Sequence, residues 1–288
     1  MLHELARAKI NLYLHVGGRR ADGYHALQSL VCFTEAGDHL SVESAPALSL
    51  ELAGPFGASL TDDADNLVLR AAAALARAAG RPQGARMRLV KSLPVASGIG
   101  GGSADAAAAL RALSRLWAFT PEPEQLKQIA LDLGSDVPVC LVSRPAQMSG
   151  RGEQVDEING LPALPLLLVN PLVAVSTASV FRLLGRNTED PPPQAPRWRG
   201  ASSSAELVTW LQTTRNDMQE AACVLAPEIG DVLGQLERAG AQLARMCGSG
   251  ATCYGLFADD AACAAAAREI AVHRPGWWVC PTRIAGPL

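Results

Sequence analysis

Residues 94 to 110 read "PVASGIGGGSADAAAAL". The glycines Gly98, Gly100, Gly101 and Gly102 run into Ser103 and then into an alanine-rich segment with the composition of a helix. Glycine adopts positive φ and lets backbone N–H groups come close to an anion. A helix that starts directly after it adds roughly half a positive charge at its N-terminus. The two together make a phosphate cradle. A Walker loop needs a lysine followed by serine or threonine, and "GIGGGSADA" has no lysine. A dinucleotide fingerprint spaces its glycines differently and lies near the start of a chain. A tight turn accounts for one or two glycines but not for four beside a serine.

Upstream of this loop, "ARAKINLYLHV" (6–16) alternates around β-formers and reads as a strand with Lys9 near its middle, and "DGYH" (22–25) marks a turn. "DHLSVES" and "ALSLELAG" read as two more strands. "NLVLRAAAALARAAG" (66–80) is a helix closed by Gly80, and "GARMRLVKSLP" is a strand that feeds the loop. Downstream, "SADAAAALRALSRLWAF" is a helix with Ser103 or Asp105 available as its cap. "PEPEQLKQIALDLG" is another, with Pro121 or Pro123 at its start and Gly134 at its end, and "SDVPVCLVS" follows as loop and strand. Residues 161–181 are uncharged and long enough to span a bilayer, but Pro162, Pro165, Asn170 and Pro171 break them. They read as two short buried strands on either side of Asn170–Pro171. Residues 186–204 have the proline and serine content of an exposed connection with nothing to pack a core. Beyond them come the helix "APEIGDVLGQLERAG", the strand, glycine turn and strand "AQLARMCGSGATCYGLFA", and the helix "DDAACAAAAREIAV". Strands and helices without regular βαβ alternation predict an α+β fold.

At 288 residues the chain is large for a single core, so two domains are expected. A net charge of -3 gives no electrostatic footprint for nucleic acid or an anionic membrane. Seven scattered cysteines without a CxxC pair suit reduced thiols in a cytoplasm and argue against a structural metal. His3, Glu4, Arg7 and Lys9 interrupt what a signal peptide would need as an apolar run.

"PVASGIGGGSADAAAAL" resembles the phosphate-binding motif of the GHMP small-molecule kinases, and "RMCGSGATCYGLF" resembles their third motif. "AKINLYLHVGGRRADGYHALQSLV" and "LGSDVPVC" resemble more specifically the branch whose acceptor is an alcohol on a cytidine-diphosphate-linked polyol, in the non-mevalonate route to isoprenoid precursors. The resemblance implies a two-domain α+β fold with the active site in the interdomain cleft. It implies an N-terminal ATP-binding domain over 1–155, a second domain over 156–288, and ATP with Mg²⁺ as co-substrate. Two rival readings are a GHMP kinase for another alcohol, of the homoserine or mevalonate type, and a catalytically silent nucleotide-binding protein. The sequence leaves the oligomeric state open.

By the same resemblance Asp136 is the catalytic aspartate and Lys9 the lysine that faces it. Pro94, Gly98, Gly100, Gly101, Gly102 and Ser103 hold the ATP phosphates, Gly248, Ser249 and Gly250 fold over the same site, and Asn66 lies near the adenine. Asn66 also suits an ordinary helix cap, and "GSG" an ordinary hairpin turn. Tyr24, His25 and Phe181 match cytosine-binding residues, and Asn11 matches a contact near the transferring hydroxyl. Some family members carry a phenylalanine where this chain has Val31, with Phe33 two residues on and on the same face, so stacking there is expected to be weaker or rebuilt. No glutamate matches a magnesium ligand, and Mg²⁺ is expected to arrive bound to ATP's phosphates and water.

Overall fold

The computed structural model describes residues 1–80, 83–186, 190, 194–196, 198–201 and 203–286. The fold is α+β, and its contacts divide the chain into two compact units interleaved in sequence. The first comprises Met1–Ala8, Gly37–Val95 and Gly100–Ser143, and the second Lys9–Ala36, Ala96–Ile99 and Arg144–Leu288. Two long paired strands, β1 (Leu2–Arg19) and β2 (His25–Ser44), each pass from one unit to the other along their length.

In the first unit the C-terminal half of β2 pairs antiparallel with β4 (Ala85–Val90), which pairs parallel with β3 (Leu48–Ala53). Helix α1 (Leu67–Ala78) starts at Asn66, whose side chain accepts from the Val68 N–H, and it buries Val68, Ala71, Ala72 and Leu75. Helix α2 (Gly101–Leu116) is buried almost all round from Ala104 to Leu110. Its alanines allow α1 and α4 (Val137–Val142) to pack closely on it. Helix α3 (Pro123–Leu133) has the expected proline in its first turn. Neither Ser103 nor Asp105 caps α2. The N-cap is Gly100, at φ 64°, with no side-chain hydrogen bond. The strand expected in "SDVPVCLVS" is α4 instead: the β-branched run suggested a strand, but Pro138 in a first turn and packing against α2 and α3 favour a helix.

In the second unit the N-terminal half of β2 pairs with β5 (Ala146–Gly150), which pairs with β6 (Gln154–Glu157). A four-stranded antiparallel sheet has the order β10-β7-β9-β8, from β7 (Pro165–Asn170), β8 (Leu243–Met246), β9 (Cys253–Leu256) and β10 (Trp278–Arg283). Strand β7 is wholly buried, as expected, but no second strand follows Asn170–Pro171. Ser176 caps a helix, α5 (Thr177–Leu184), by accepting from Ser179 N–H, a local bond that a strand would forgo. Among the described residues four more helices follow: α6 (Ser204–Gln212), α7 (Gln219–Leu225), α8 (Glu228–Arg238) and α9 (Asp260–His273). Ile229, Val232 and Leu236 of α8 join Phe257 and Ile270 in the core. The connection at 186–204 includes residues outside those described, yet it does supply core. Trp198 is buried, 5.0 Å edge-on from Trp210, and its indole N–H donates to Asn159 O.

One buried cation fixes the second half of β1. Arg245 donates to the carbonyls of Leu12, Leu211 and Thr214 and to Thr214 Oγ1 at 2.6–3.1 Å, and Tyr254 Oη donates to Leu12 O at 2.6 Å. The backbone beside Lys9 and Asn11 is thereby tied to α6 and β8 by charge-assisted bonds.

Candidate functional site

The residues singled out by sequence fall into two groups. Asn66, Pro94, Gly100, Gly101, Gly102, Ser103 and Asp136 belong to the first unit, and Lys9, Asn11, Tyr24, His25, Gly98, Phe181, Gly248, Ser249 and Gly250 to the second.

In the first unit the helix after the glycines opens without a cap. The first backbone bond of α2 runs from Ala104 N to Gly100 O, so the N–H groups of Gly101, Gly102 and Ser103 have no acceptor within the helix. Three N–H donors and the positive end of a 16-residue helix converge there, which is the chemistry of an anion site. Asp136 is half-buried at the N-cap position of α4, and its side chain makes no capping hydrogen bond there. The loop before it approaches the α2 N-terminus: a Cβ on Gly134 would lie 4.0 Å from Ser103 Oγ. Asn66 lines a cavity of about 230 Å³ with Gly102 and Asp105. Its amide is already committed, with Oδ1 accepting from Val68 N–H at 2.9 Å and Nδ2 donating to Thr61 O at 2.8 Å.

Beneath this helix end lies a group that sequence reading missed. Lys91 donates to the carboxylates of Asp38 and Asp105, the latter at 2.7 Å, and all three side chains are buried. Asp38 Oδ1 also accepts from the N–H groups of Ser92 at 2.6 Å and Leu93 at 2.8 Å, fixing the chain as it enters the loop. A Cβ on Gly101 would come 3.0 Å from Lys91 Nζ, so this glycine is small because it covers the lysine. Burial pushes the Asp105 carboxyl up to about 7 against the opposing pull of Lys91, and Asp38 adds to the rise. For Lys91 burial alone would lower the pKa, but the two carboxylates together outweigh it and hold it above the ordinary lysine value. The available signal was an aspartate inside an alanine run, on a helix with no polar face for it.

In the second unit the two glycine motifs meet backbone to backbone. A Cβ on Gly98 would fall 2.6 Å from Cys247 O and 2.7 Å from Gly250 O, and one on Gly248 would fall 2.6 Å from Gly98 O. Gly98, at φ 80°, is therefore a packing requirement of the 247–250 turn. That turn is held by Asn216 Nδ2, which donates to Met246 O and Gly248 O at 2.8 Å, and Ser249 Oγ shares a 2.7 Å bond with Thr177 Oγ1. Lys9 is buried in β1, its N–H donating to Ile99 O at 2.9 Å. Asn11 is buried two residues on, with Nδ2 donating to Ser29 Oγ at 2.8 Å.

His25 and Phe181 are brought together, their rings stacked 4.9 Å apart at 9°. His25 Nδ1 is 3.2 Å from Gly17 O, a bond in which the ring nitrogen must donate, and this leaves Nε2 as an acceptor in the neutral ring. Tyr24 does not join that stack. It is 54% exposed, and the Arg151 guanidinium lies 5.2 Å from its ring centroid. Val31 and Phe33 are both buried, so Phe33 does not replace an aromatic surface there.

Comparison with known proteins agrees with this architecture. The GHMP kinases N terminal domain matches residues 66–144, and the GHMP kinases C terminal domain matches residues 201–273. The chain is 50% identical to a 4-diphosphocytidyl-2-C-methyl-D-erythritol kinase of Parvibaculum lavamentivorans, covering 96% of each chain. It is 51% identical to one of Cereibacter sphaeroides, covering 99% of this chain and 100% of that one. A crystal structure of 4-(cytidine 5'-diphospho)-2C-methyl-D-erythritol kinase superposes with a TM-score of 0.80 at 32% identity over 99% of this chain and 100% of that one. A homoserine kinase from Cytophaga hutchinsonii superposes with a TM-score of 0.65 at 18% identity over 97% and 96%, a likeness of fold alone. Two matched domains, near-full-length relatives at about half identity and a shared fold lead to one conclusion: the chain belongs to the GHMP kinases.

Proposed function

We propose that this kinase transfers the γ-phosphoryl group of ATP to the 2-hydroxyl of 4-diphosphocytidyl-2-C-methyl-D-erythritol, a step toward isoprenoid precursors. The observation that carries the phosphoryl-transfer part is the uncapped, glycine-built N-terminus of α2. The near-full-length relatives named for that acceptor support the choice of alcohol. The homoserine and mevalonate kinases share only the fold, at 10–18% identity, and do not favour those alcohols.

Phosphoryl transfer asks a protein to place the acceptor in line, to stabilise charge around the γ-phosphate and to take up a proton. The N–H groups of Gly101, Gly102 and Ser103 bind the phosphates, with Pro94 and Gly100 shaping the entry to them. Gly248, Ser249 and Gly250 bring further backbone donors, and Gly98 supports their turn. Asp136 accepts the proton of the acceptor hydroxyl, Lys9 stabilises the alkoxide that develops, and Asn11 orients the hydroxyl. Mg²⁺ accompanies ATP, held through phosphate oxygens and water. His25, with Nε2 as acceptor, and the ring of Phe181 bind the cytosine, whose amino group is a donor, and Tyr24 supplies a second aromatic face. The reaction takes place in the cytoplasm. Incubation with Mg-ATP and the cytidine-diphosphate alcohol should yield ADP and a product heavier by one phosphate. Release of ADP without that product would reject the acceptor.

A further inference from the structure

The Asn11 side chain is held by a short relay of hydrogen bonds. Its amide nitrogen donates to Ser29 Oγ at 2.8 Å, and Ser29 Oγ donates its own proton to Tyr13 O at 2.6 Å. Asn11 is 4% exposed and Ser29 2%, so both bonds are shielded from solvent. A backbone carbonyl only accepts and a serine hydroxyl has one proton, so toward Asn11 the Ser29 oxygen can only accept. The amide therefore has one orientation. Reversing it would ask one proton to serve two oxygens, and one of the two bonds would be lost. The amide oxygen lies instead 3.9 Å from Cys247 Sγ. The main chain is fixed separately: Asn11 N–H donates to Cys247 Sγ at 3.2 Å, and Arg245 and Tyr254 hold Leu12 O. Ser29 thus determines how the amide is turned and not where the strand lies.

We propose that Ser29 is a positioning residue for phosphoryl transfer, its hydroxyl fixing the orientation in which the Asn11 amide meets the acceptor alcohol. This rests on the reading of Asn11 as the residue that orients the transferring hydroxyl. Ser29 lies in the N-terminal half of β2, paired with Met148 of β5, and belongs with Asn11, Tyr13 and Cys247 to the second unit. Without the hydroxyl the amide is free to turn, and a contact that needs one orientation is made only part of the time.

Ser29→Ala, Ser29→Thr, Asn11→Ala and the Ser29→Ala, Asn11→Ala double variant are compared with wild type. Steady-state kinetics with the cytidine-diphosphate alcohol are measured beside ATP affinity by calorimetry. Ser29→Ala should lower kcat/KM for the alcohol about five- to tenfold, the usual effect of one neutral hydrogen bond, with the ATP Kd within about twofold of wild type. Ser29→Thr keeps the hydroxyl and should stay within about twofold of wild type. The double variant should fall within about twofold of Asn11→Ala, because the serine acts only through that amide. Wild-type efficiency in Ser29→Ala beside an impaired Asn11→Ala overturns the proposal. So does a double variant that loses the product of the two single losses, or an equal loss of ATP affinity in Ser29→Ala, each of which makes the serine only a support of the sheet. A threonine variant with the wild-type melting temperature and no better activity than the alanine variant overturns it too. Wild-type efficiency in Asn11→Ala would instead reject the reading of Asn11 itself, and the proposal with it.

Discussion

Substituting Gly102 by alanine separates a glycine kept for folding from one kept for a ligand. The residue is exposed in the first turn of α2, and an added Cβ would meet only Leu67 Cδ1, at 3.4 Å, the end of a side chain that can turn aside. On helix propensity alone Gly102→Ala should stabilise by up to about 1 kcal/mol, raising the melting temperature by about 1–4 °C in a chain of this size. If the Gly102 N–H instead contacts an ATP phosphate, the methyl group holds that phosphate away. Losing one charge-assisted hydrogen bond costs about 1.5–3 kcal/mol, a factor of about 10 to 150 in Kd. The account expects thermal stability equal to or above wild type together with an ATP Kd at least about tenfold weaker, from calorimetry on a variant with a native circular dichroism spectrum. An ATP affinity within about twofold of wild type would refute the phosphate cradle. Gly101 cannot serve in its place, because a side chain there meets Lys91 Nζ at 3.0 Å and disturbs the buried ion cluster whatever the ligand does.

Asp136→Asn should lower kcat by about 10² to 10⁴ while ATP affinity stays near wild type, measured by steady-state kinetics beside calorimetry; wild-type turnover would remove Asp136 from the chemistry. His25→Ala should cut kcat/KM for the cytidine-diphosphate alcohol about ten- to a hundredfold yet hardly change the low rate on methylerythritol phosphate, and an equal fall on both would mean that the base is not read. Lys91→Met leaves Asp38 and Asp105 buried without their counter-charge, so urea denaturation should show a loss of about 3–5 kcal/mol; a loss below about 1 kcal/mol would contradict the burial of that cluster.

Local periodicity was legible wherever a segment's own chemistry decided it. Asn66 and Gly80 bracket α1 as read, and Pro123 opens α3. The misses came where distant packing decided. "VPVCLV" has the side chains of a strand but packs as a helix on α2, and the run after Asn170 obeys the Ser176 cap. Interleaving of the two units depends on which partner each half of β1 and β2 meets, and no local pattern encodes that. In the site, glycine spacing pointed to the anion chemistry of the α2 end but could not separate Gly98, fixed by the Cys247 and Gly250 carbonyls, from Gly102, where an added Cβ would meet only the end of the Leu67 side chain. Lys91, Asp38 and Asp105 escaped because their meaning is joint: 53 and 14 residues separate the partners, and only the fold brings the charges together.

The central claim is the identity of the acceptor, and a side-by-side kinetic comparison tests it most directly. With saturating Mg-ATP, kcat/KM is measured for 4-diphosphocytidyl-2-C-methyl-D-erythritol, methylerythritol phosphate, homoserine and mevalonate, with ADP release and product mass followed together. The account predicts that the cytidine-diphosphate alcohol exceeds each of the others by at least about 10², the combined effect of base stacking and base-edge hydrogen bonding. Comparable efficiency on any of the other three alcohols would contradict it.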